Sequence, residues 1–291
     1  MRWEMTTETK STDGSDVAYI STSGVYKTPF SLIILVQLFI GGMVLVGVNL
    51  WFVNALFELL FGTPFYESGI QTAWYYWLLL PLNVYGNLFL FSFSIFLAGA
   101  AIDQLLCKLH PLQEGVFERG SKDWTYMHRR FWNSYFPLWL ARALPLPWAD
   151  IVVYRFFGVK MGKNVVAYEG YIDPKLVEIG DFTMTSLHIC IFSHLIYPDK
   201  IIIQKTNIGK NCIVGPQTII SPGTIMEEGA ILGANSYTWV GQHLEGNLIH
   251  VGTPVQMKLP IQSVEESRKK TVTIQKSAEL RESDQKNAEG P

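Results

Sequence analysis

Two long stretches of this chain carry no charged residue. One lies between Lys27 and Glu58 and the other runs from Ser68 to Ile102. Uncharged runs of this length exclude the usual surface helix, which keeps a polar face, and exceed the roughly 20 residues that span a bilayer. Cysteine is scarce. Cys107, Cys190 and Cys212 are odd in number and far apart. That excludes a disulfide framework or cysteine-based zinc spacing and fits buried thiols in a reducing compartment. There is no basic excess either: 23 Lys and Arg stand against 25 Asp and Glu, a net charge of −2. General nucleic-acid binding is therefore not expected. A glycine loop of the nucleotide-binding type is missing. No basic-then-apolar-then-cleavage pattern follows Met1, so a cleaved signal peptide is not expected.

What is present divides the 291 residues into five parts. Mean hydropathy is +0.18 and aromatics make up 13% of the chain, a balance suited to a membrane protein with a soluble part. Residues 1–27 read as a polar N-terminal arm. Residues 28–107 read as a pair of transmembrane helices. The second opens on the aromatic cluster Trp74, Tyr75, Tyr76 and Trp77, as at a membrane interface, with Pro81 as a possible kink. Gly41, Gly42, Gly47 and Gly86 would let the two helices approach closely. Arg2, Lys10 and Lys27 precede the first span and Lys108, Arg119, Lys122, Arg129 and Arg130 follow the second. The link from Phe61 to Gln71 has no Lys or Arg. That asymmetry predicts a multi-pass cell-membrane protein whose later domain faces the cytoplasm. Residues 108–150 mix Trp and Phe with His and Arg, as in a helix at the headgroup level or one capping the next domain. Pro145 and Pro147 end that helix before an expected first strand, Ile151–Phe157. Residues 259–291 read as a disordered tail.

The domain between, residues 151–258, is defined by a period of six. Ile208–Ser236 divides into IGKNCI, VGPQTI, ISPGTI, MEEGAI and LGANSY. The lead positions Ile208, Val214, Ile220, Met226 and Leu232 are aliphatic. Four places on, Cys212, Thr218, Thr224, Ala230 and Ser236 are small. A short period of this kind marks a solenoid. The leads stack inward, the small residues fill corners, and the glycines at the second place are expected to permit the turn. The frame reaches back to Met161 and Ile179, 18 residues apart. From Ile179 to Ile208 is 29 residues, so the coil is interrupted, near Tyr197–Gln204, and the insertion maps to a surface loop.

These hexads resemble the hexapeptide-repeat, left-handed parallel β-helix family. Its members are mostly acyltransferases, many of them trimers, and a minority are structural. The resemblance implies a triangular coil of about eighteen residues and a thioester co-substrate, acetyl-CoA or another acyl thioester, rather than a permanent cofactor. It implies a catalytic histidine at His194, just before the frame break. It also implies an acceptor-contacting aspartate at Asp173, although Asp173 is equally well placed as a turn residue before Pro174. The resemblance further implies cofactor contacts at Gly233, and at Gly252 and Pro254 in the closing turn Val251–Val255. His194 would serve as general base, since a neutral imidazole near pH 7 can take a proton from an attacking hydroxyl or amine. One branch of the family holds zinc on three histidines. Here only His188 and His194 lie in the right region, so no metal site is expected.

The order of elements is similar to the membrane-embedded C-terminal region of polylysine-synthetase-type peptide synthetases. That order is an apolar span, a Trp- and Arg-rich segment, Phe157-Gly158-Val159-Lys160-Met161-Gly162, Asp173–Asp181, Ser193-His194 and Ile208-Gly209. This second likeness adds a carrier protein as a possible thioester source. The reading is a membrane-anchored β-solenoid, two transmembrane α-helices followed by a left-handed parallel β-helix. It acts as an acyltransferase on a hydroxyl or amine acceptor, with the lipid bilayer and a homotrimer as its partners. A non-catalytic scaffold of the same fold is the alternative.

Overall fold

The structure is a computed structural model that describes residues 30–64, 74–167 and 169–261. The arm 1–27, most of the link between the apolar runs, the side chains of Trp74–Trp77 and the tail beyond 261 lie outside the described residues. The first apolar run forms α1 (Phe30–Gly47), a π-helical stretch (Val48–Val53) and α2 (Asn54–Phe61). The second forms α3 (Trp74–Leu109), which continues through Pro81. By length and composition, Phe30–Phe61 and Leu80–Leu109 could each cross a membrane. Of the four glycines expected between them, Gly41 is in contact. A Cβ there would lie 2.9 Å from the Phe91 ring on α3, whereas at Gly42, Gly47 and Gly86 it would meet nothing within 4 Å. Those three meet nothing across the pairing, and the other glycine in close approach is Gly99 on α3, where a Cβ would lie 3.4 Å from Gln37 Nε2.

After α3 come β1 (Gly115–Glu118), α4 (Lys122–Ala143) and α5 (Ala149–Phe156). Ser121 caps α4 by accepting a hydrogen bond from the Trp124 N–H at 3.1 Å. The strand expected at Ile151–Phe157 is helix instead. Its β-branched run suggested a strand, but Val153, Tyr154 and Phe157 are fully buried at helical spacing against the first coil. Tertiary burial of that face outweighs β propensity, and α5 closes this end of the solenoid.

The solenoid strands are β2 (Lys160–Met161), β3 (Tyr171–Ile172), β4 (Val177–Ile179), β5 (Met184–Thr185) and β6 (Cys190–Ile191), followed by an inserted hairpin, β7 (His194–Ile196) and β8 (Lys200–Ile203). They resume with β9 (Thr206–Ile208), β10 (Ile213–Val214), β11 (Ile219–Ile220), β12 (Ile225–Met226), β13 (Ile231–Leu232), β14 (His243–Leu244), β15 (Leu248–Gly252) and β16 (Val255–Pro260). Three faces are visited in turn, and strands pair in parallel along each: β2-β4-β9-β12-β14, β5-β10-β13-β15 and β3-β6-β11. Ile213 pairs with Ile231, and 231 − 213 = 18, one coil of three hexads. Met184 pairs with Ile213, and 213 − 184 = 29, because the hairpin adds eleven residues to that coil. The lead residues Ile208, Val214, Ile220, Met226 and Leu232 are all buried in one continuous core. Handedness apart, the six-residue frame is the architecture.

The turns work differently from the expectation. The second-place glycines 162, 180, 209, 215 and 233 do not adopt left-handed backbone. That conformation falls at the fourth place: Asn211, Gln217, Gly223, Gly229, Asn235, Gly241 and Asn247, at six-residue intervals. Asn and Gly tolerate positive φ best, which explains their recurrence there. The second-place glycines instead let successive coils touch. A Cβ on Gly180 would lie 2.6 Å from the carbonyl carbon of Gly209 and 2.7 Å from the Lys210 nitrogen. Gly180→Ala should therefore push two coils apart and lower stability by about 1–3 kcal/mol, read as a fall in thermal midpoint.

Buried hydroxyls close the corners. Thr183 Oγ1 donates to the Gly209 carbonyl at 2.7 Å, and Thr224 and Thr238 share a 2.8 Å hydrogen bond. At the far end β16 folds back antiparallel on β15, with Leu259 opposite Ile249 and Pro260 opposite Leu248. The ordered chain thus passes the expected boundary at 259, because these residues complete a ladder that β15 would otherwise leave open.

Candidate active site

Asp173 leaves β3 and Phe192-Ser193-His194 leaves β6. The parallel pairing Tyr171↔Cys190 and Ile172↔Ile191 stacks the two exits one above the other. Asp173 N–H still follows the ladder, donating to Ile191 O at 2.9 Å. Its carboxylate then gathers the next coil. Oδ2 accepts from the Ser193 N–H at 2.6 Å, Ser193 Oγ at 3.2 Å, the His194 N–H at 3.2 Å and His194 Nδ1 at 2.6 Å. Oδ1 accepts from the Tyr171 hydroxyl at 2.8 Å. An ionised carboxylate can only accept, so Nδ1 of His194 carries a proton and the lone pair of the neutral ring sits on Nε2. Among the described residues Nε2 has no hydrogen-bond partner, and the His194 side chain keeps 8% exposure.

The Asp173 carboxylate has no exposure at all. It is turned into the protein beneath His194, so its place differs from that of an aspartate contacting an acceptor. All its donors come from the protein, and its chemical effect runs through the imidazole. Burial opposes charge on both groups. Burial would lower the His194 pKa, but the adjacent Asp173 charge and hydrogen bond outweigh it and leave the imidazole above its ordinary value. Burial would raise Asp173, but His194, the Ser193 N–H and the Tyr171 hydroxyl bring it below the usual carboxylate range. The folded imidazole pKa exceeds the unfolded one. Its stabilising contribution is therefore present below the unfolded value and is lost as pH rises through the folded one.

The site has an aromatic wall. Phe131 of α4 meets the His194 ring edge-on at 5.9 Å, and Phe192 does so at 6.2 Å. Tyr171 packs on Phe131 at 6.0 Å and on Phe192 at 5.7 Å. Burial, and then the nearby His194, hold His128 of α4 below the ordinary histidine value, even though its Nδ1 bonds the Trp124 carbonyl at 2.8 Å. Burial pushes Tyr171 well above 10, further helped by Asp173, so its hydroxyl remains a donor.

Two devices seat α4 over this site. The hairpin β7–β8 pairs antiparallel with β1, Ile203 standing opposite both His194 and Gly115. Its buried Ile201 and Ile203 pack against Trp124 and Met127 of α4. On the other side Arg142 of α4 donates to the Tyr154 hydroxyl at 2.8 Å and to Gly170 O at 2.6 Å. Tyr154 in turn bonds Gly170 O at 2.6 Å and accepts from the Ile172 N–H at 3.1 Å. Burial drives its pKa up to about 12. Helices α4 and α5 thus fix the strand that presents Asp173.

Tyr171, Ser193, Phe131, Tyr154 and Arg142 also build this site, and none of them was expected there from residue type alone. The Tyr171-x-Asp173 alternation was a usable signal, since residues two apart on a strand share a side. The roof by α4 had none. His188 lies on an exposed left-handed corner, outside the site. Gly233 follows β13, Gly252 ends β15 and Pro254 lies in the β15–β16 turn. A single chain places these three on a different face from His194 and farther along the axis, not beside it. A surface groove of about 740 Å³ lies across β2, β4 and β9 and is lined by Arg155, Lys160, Glu178 and Asn207. It contains neither His194 nor Asp173, and the paired carboxylate and imidazole mark the chemistry better than its volume does.

No protein-family model matches the chain, and neither does any curated protein. Solved structures align with part of it. A maltose O-acetyltransferase from Clostridium difficile 630 is 16% identical, with a TM-score of 0.42 over 55% of this chain and 97% of that one. A hexapeptide-repeat-containing acetyltransferase from Vibrio cholerae is 12% identical, with a TM-score of 0.37 over 50% and 97%. An N-acyltransferase from Bacillus cereus, in complex with dTDP and 3-hydroxybutyryl-CoA, is 20% identical, with a TM-score of 0.27 over 41% and 68%.

Proposed function

We propose that this chain is an acyltransferase of the hexapeptide-repeat type, held at the cytoplasmic face of a membrane, that moves an acyl group from a thioester to a hydroxyl or amine. One observation carries the reading: the hydrogen bond from His194 Nδ1 to the buried Asp173 carboxylate, which leaves Nε2 as the unpaired base. Nε2 takes the proton of the acceptor as its oxygen or nitrogen attacks the thioester carbonyl. The tetrahedral intermediate then collapses, the C–S bond breaks, and the departing thiolate recovers the proton from the imidazolium. Asp173 orients the ring and stabilises its charged form, as a triad carboxylate does.

The donor is coenzyme A or a carrier-borne thioester, the latter suggested by the polylysine-synthetase likeness. The apolar helices support membrane attachment, because Leu35, Phe39 and Trp51 are 60%, 69% and 82% exposed and need an apolar solvent. A left-handed coil and a homotrimer complete the proposal. One face presents an aliphatic ladder, Val166, Met184 and Ile213, at 41%, 52% and 44% exposure. Association of three copies through such a face would cover it, and in this proposal it brings Gly233 and the turn holding Gly252 and Pro254 of one copy towards His194 of another.

Two measurements test this. Coenzyme A at a hundred times its dissociation constant should stabilise the detergent-solubilised chain by about 2.7 kcal/mol. No shift with coenzyme A and no thiol release from acyl-CoA or acyl-pantetheine would leave a scaffold. The pH dependence follows from the sign of the histidine shift. Transfer needs the neutral ring, so kcat/KM should rise with pH through an apparent pKa above the ordinary histidine value. A limb below that value would contradict the Asp173 contact.

A further inference from the structure

Resting on the acyltransferase reading, we infer that the acceptor is a membrane amphiphile, whose hydroxyl or amine is carried on a headgroup and presented to His194 from the bilayer. Three observations converge on this. The wall of the imidazole continues as a chain of rings to the start of the first apolar helix. His194 meets Phe131 at 5.9 Å, Phe131 meets Trp132 at 5.4 Å, and Trp132 meets Phe30, the first residue of α1, at 4.9 Å. Beside that chain, Trp132, Tyr135 and Trp139 recur at helical spacing as one stripe of α4. Tyr135 and Trp139 remain 47% and 57% exposed. Amphipathic rings of this kind settle at the headgroup level of a bilayer.

The depth of the stripe is fixed by a buried polar clasp. Gln37 Nε2 donates to Asn133 O at 2.9 Å and to Asn133 Oδ1 at 2.8 Å, and Asn133 Nδ2 donates to Gly99 O on α3 at 2.8 Å. Gln37 is about two turns into α1, or about 10 Å from its start, a few ångströms more than the roughly 5–8 Å that each headgroup layer adds to the hydrocarbon core. The clasp therefore sets α4, and the ring it holds over His194, at the edge of the hydrocarbon rather than in bulk water. A headgroup nucleophile reaches Nε2 along the aromatic stripe without leaving the bilayer, while the acyl thioester arrives from the aqueous side. In the step itself the thioester C–S bond breaks and a C–O or C–N bond to the headgroup forms. The headgroup proton passes through Nε2 to the thiolate.

The test uses the full chain reconstituted in phosphatidylcholine vesicles doped with a total polar lipid extract. The donor is acetyl-labelled pantetheine thioester, the arm that coenzyme A and carrier proteins share. An aqueous metabolite extract is supplied alongside, and the label is then partitioned. The expected result is label in the organic phase, absent with His194→Asn, at a rate that follows the mole fraction of extract in the bilayer. His194-dependent label confined to the aqueous phase would overturn the amphiphile inference and leave the transferase reading standing. Labelled product in neither phase would overturn both. A Trp132→Ser, Tyr135→Ser double variant should raise the mole-fraction KM about tenfold with kcat retained. An unchanged KM would remove the aromatic route.

Discussion

Replacing His194 with asparagine should cut acyl transfer by about 10²–10⁴-fold while the chain still folds, because a positioned general base contributes an effect of that size. Asparagine is the informative substitution. Its amide N–H₂ can take over the 2.6 Å bond that Nδ1 gives Asp173, but it supplies nothing basic where Nε2 stands. Alanine is expected to abolish transfer as well, at a structural cost. It would take the imidazole N–H from a fully buried carboxylate, and losing a hydrogen bond to a charged group costs about 1.5–3 kcal/mol. Steady-state release of pantetheine thiol, alongside a thermal melt, separates the two effects. Transfer by His194→Asn at the wild-type rate would show that Nε2 is not the base.

The second large effect is expected at Asp173. Asp173→Asn should lower kcat/KM by up to about 10⁴-fold, the size of the loss when a triad carboxylate becomes an amide and the histidine takes the wrong tautomer. An amide has one acceptor oxygen in place of two, so its N–H₂ must face either the Ser193 and His194 donors or the Tyr171 hydroxyl, and at least one buried donor is orphaned. That adds a loss of about 1–3 kcal/mol in stability. The pH profile distinguishes this role from a structural one. Without the neighbouring charge, burial alone acts on the ring, and the acid limb of kcat/KM should move to lower pH. A limb that stayed in place with the rate reduced would make Asp173 a packing residue only.

Much of this architecture could be read from residue type because a solenoid repeats one short rule. The aliphatic leads Ile208 to Leu232 are buried, and the 29-residue gap from Ile179 to Ile208 marks the inserted hairpin. Features set by contacts between distant segments were not legible. Ile151–Phe157 has the composition of a strand and becomes helix because Val153, Tyr154 and Phe157 cover the first coil. Second-place glycines look like turn residues, but whether a glycine serves φ or close approach depends on what lies above it, such as Gly209 over Gly180. Asp173 and His194 could be placed on neighbouring coils. The direction of the carboxylate, inward onto Nδ1 rather than outward, is set by the donors that Tyr171, Ser193 and His194 gather around it, which the spacing does not show. The aromatic residues of α4 suggested a membrane surface or a cap, and the contact of Phe131 with His194 is visible only once β1 and β8 have paired.

The back-folded strand β16 bears on how copies of this protein can gather. Parallel coils have open rungs at each end, and identical open rungs are an invitation to fibre growth. β16 runs against the grain of the stack. Pro260 on it has no N–H to offer, and Lys258 bonds Glu245 at 2.6 Å across the same rim. With this rim closed, end-on stacking of coils through it is disfavoured, and contacts between copies are steered to the sides of the solenoid.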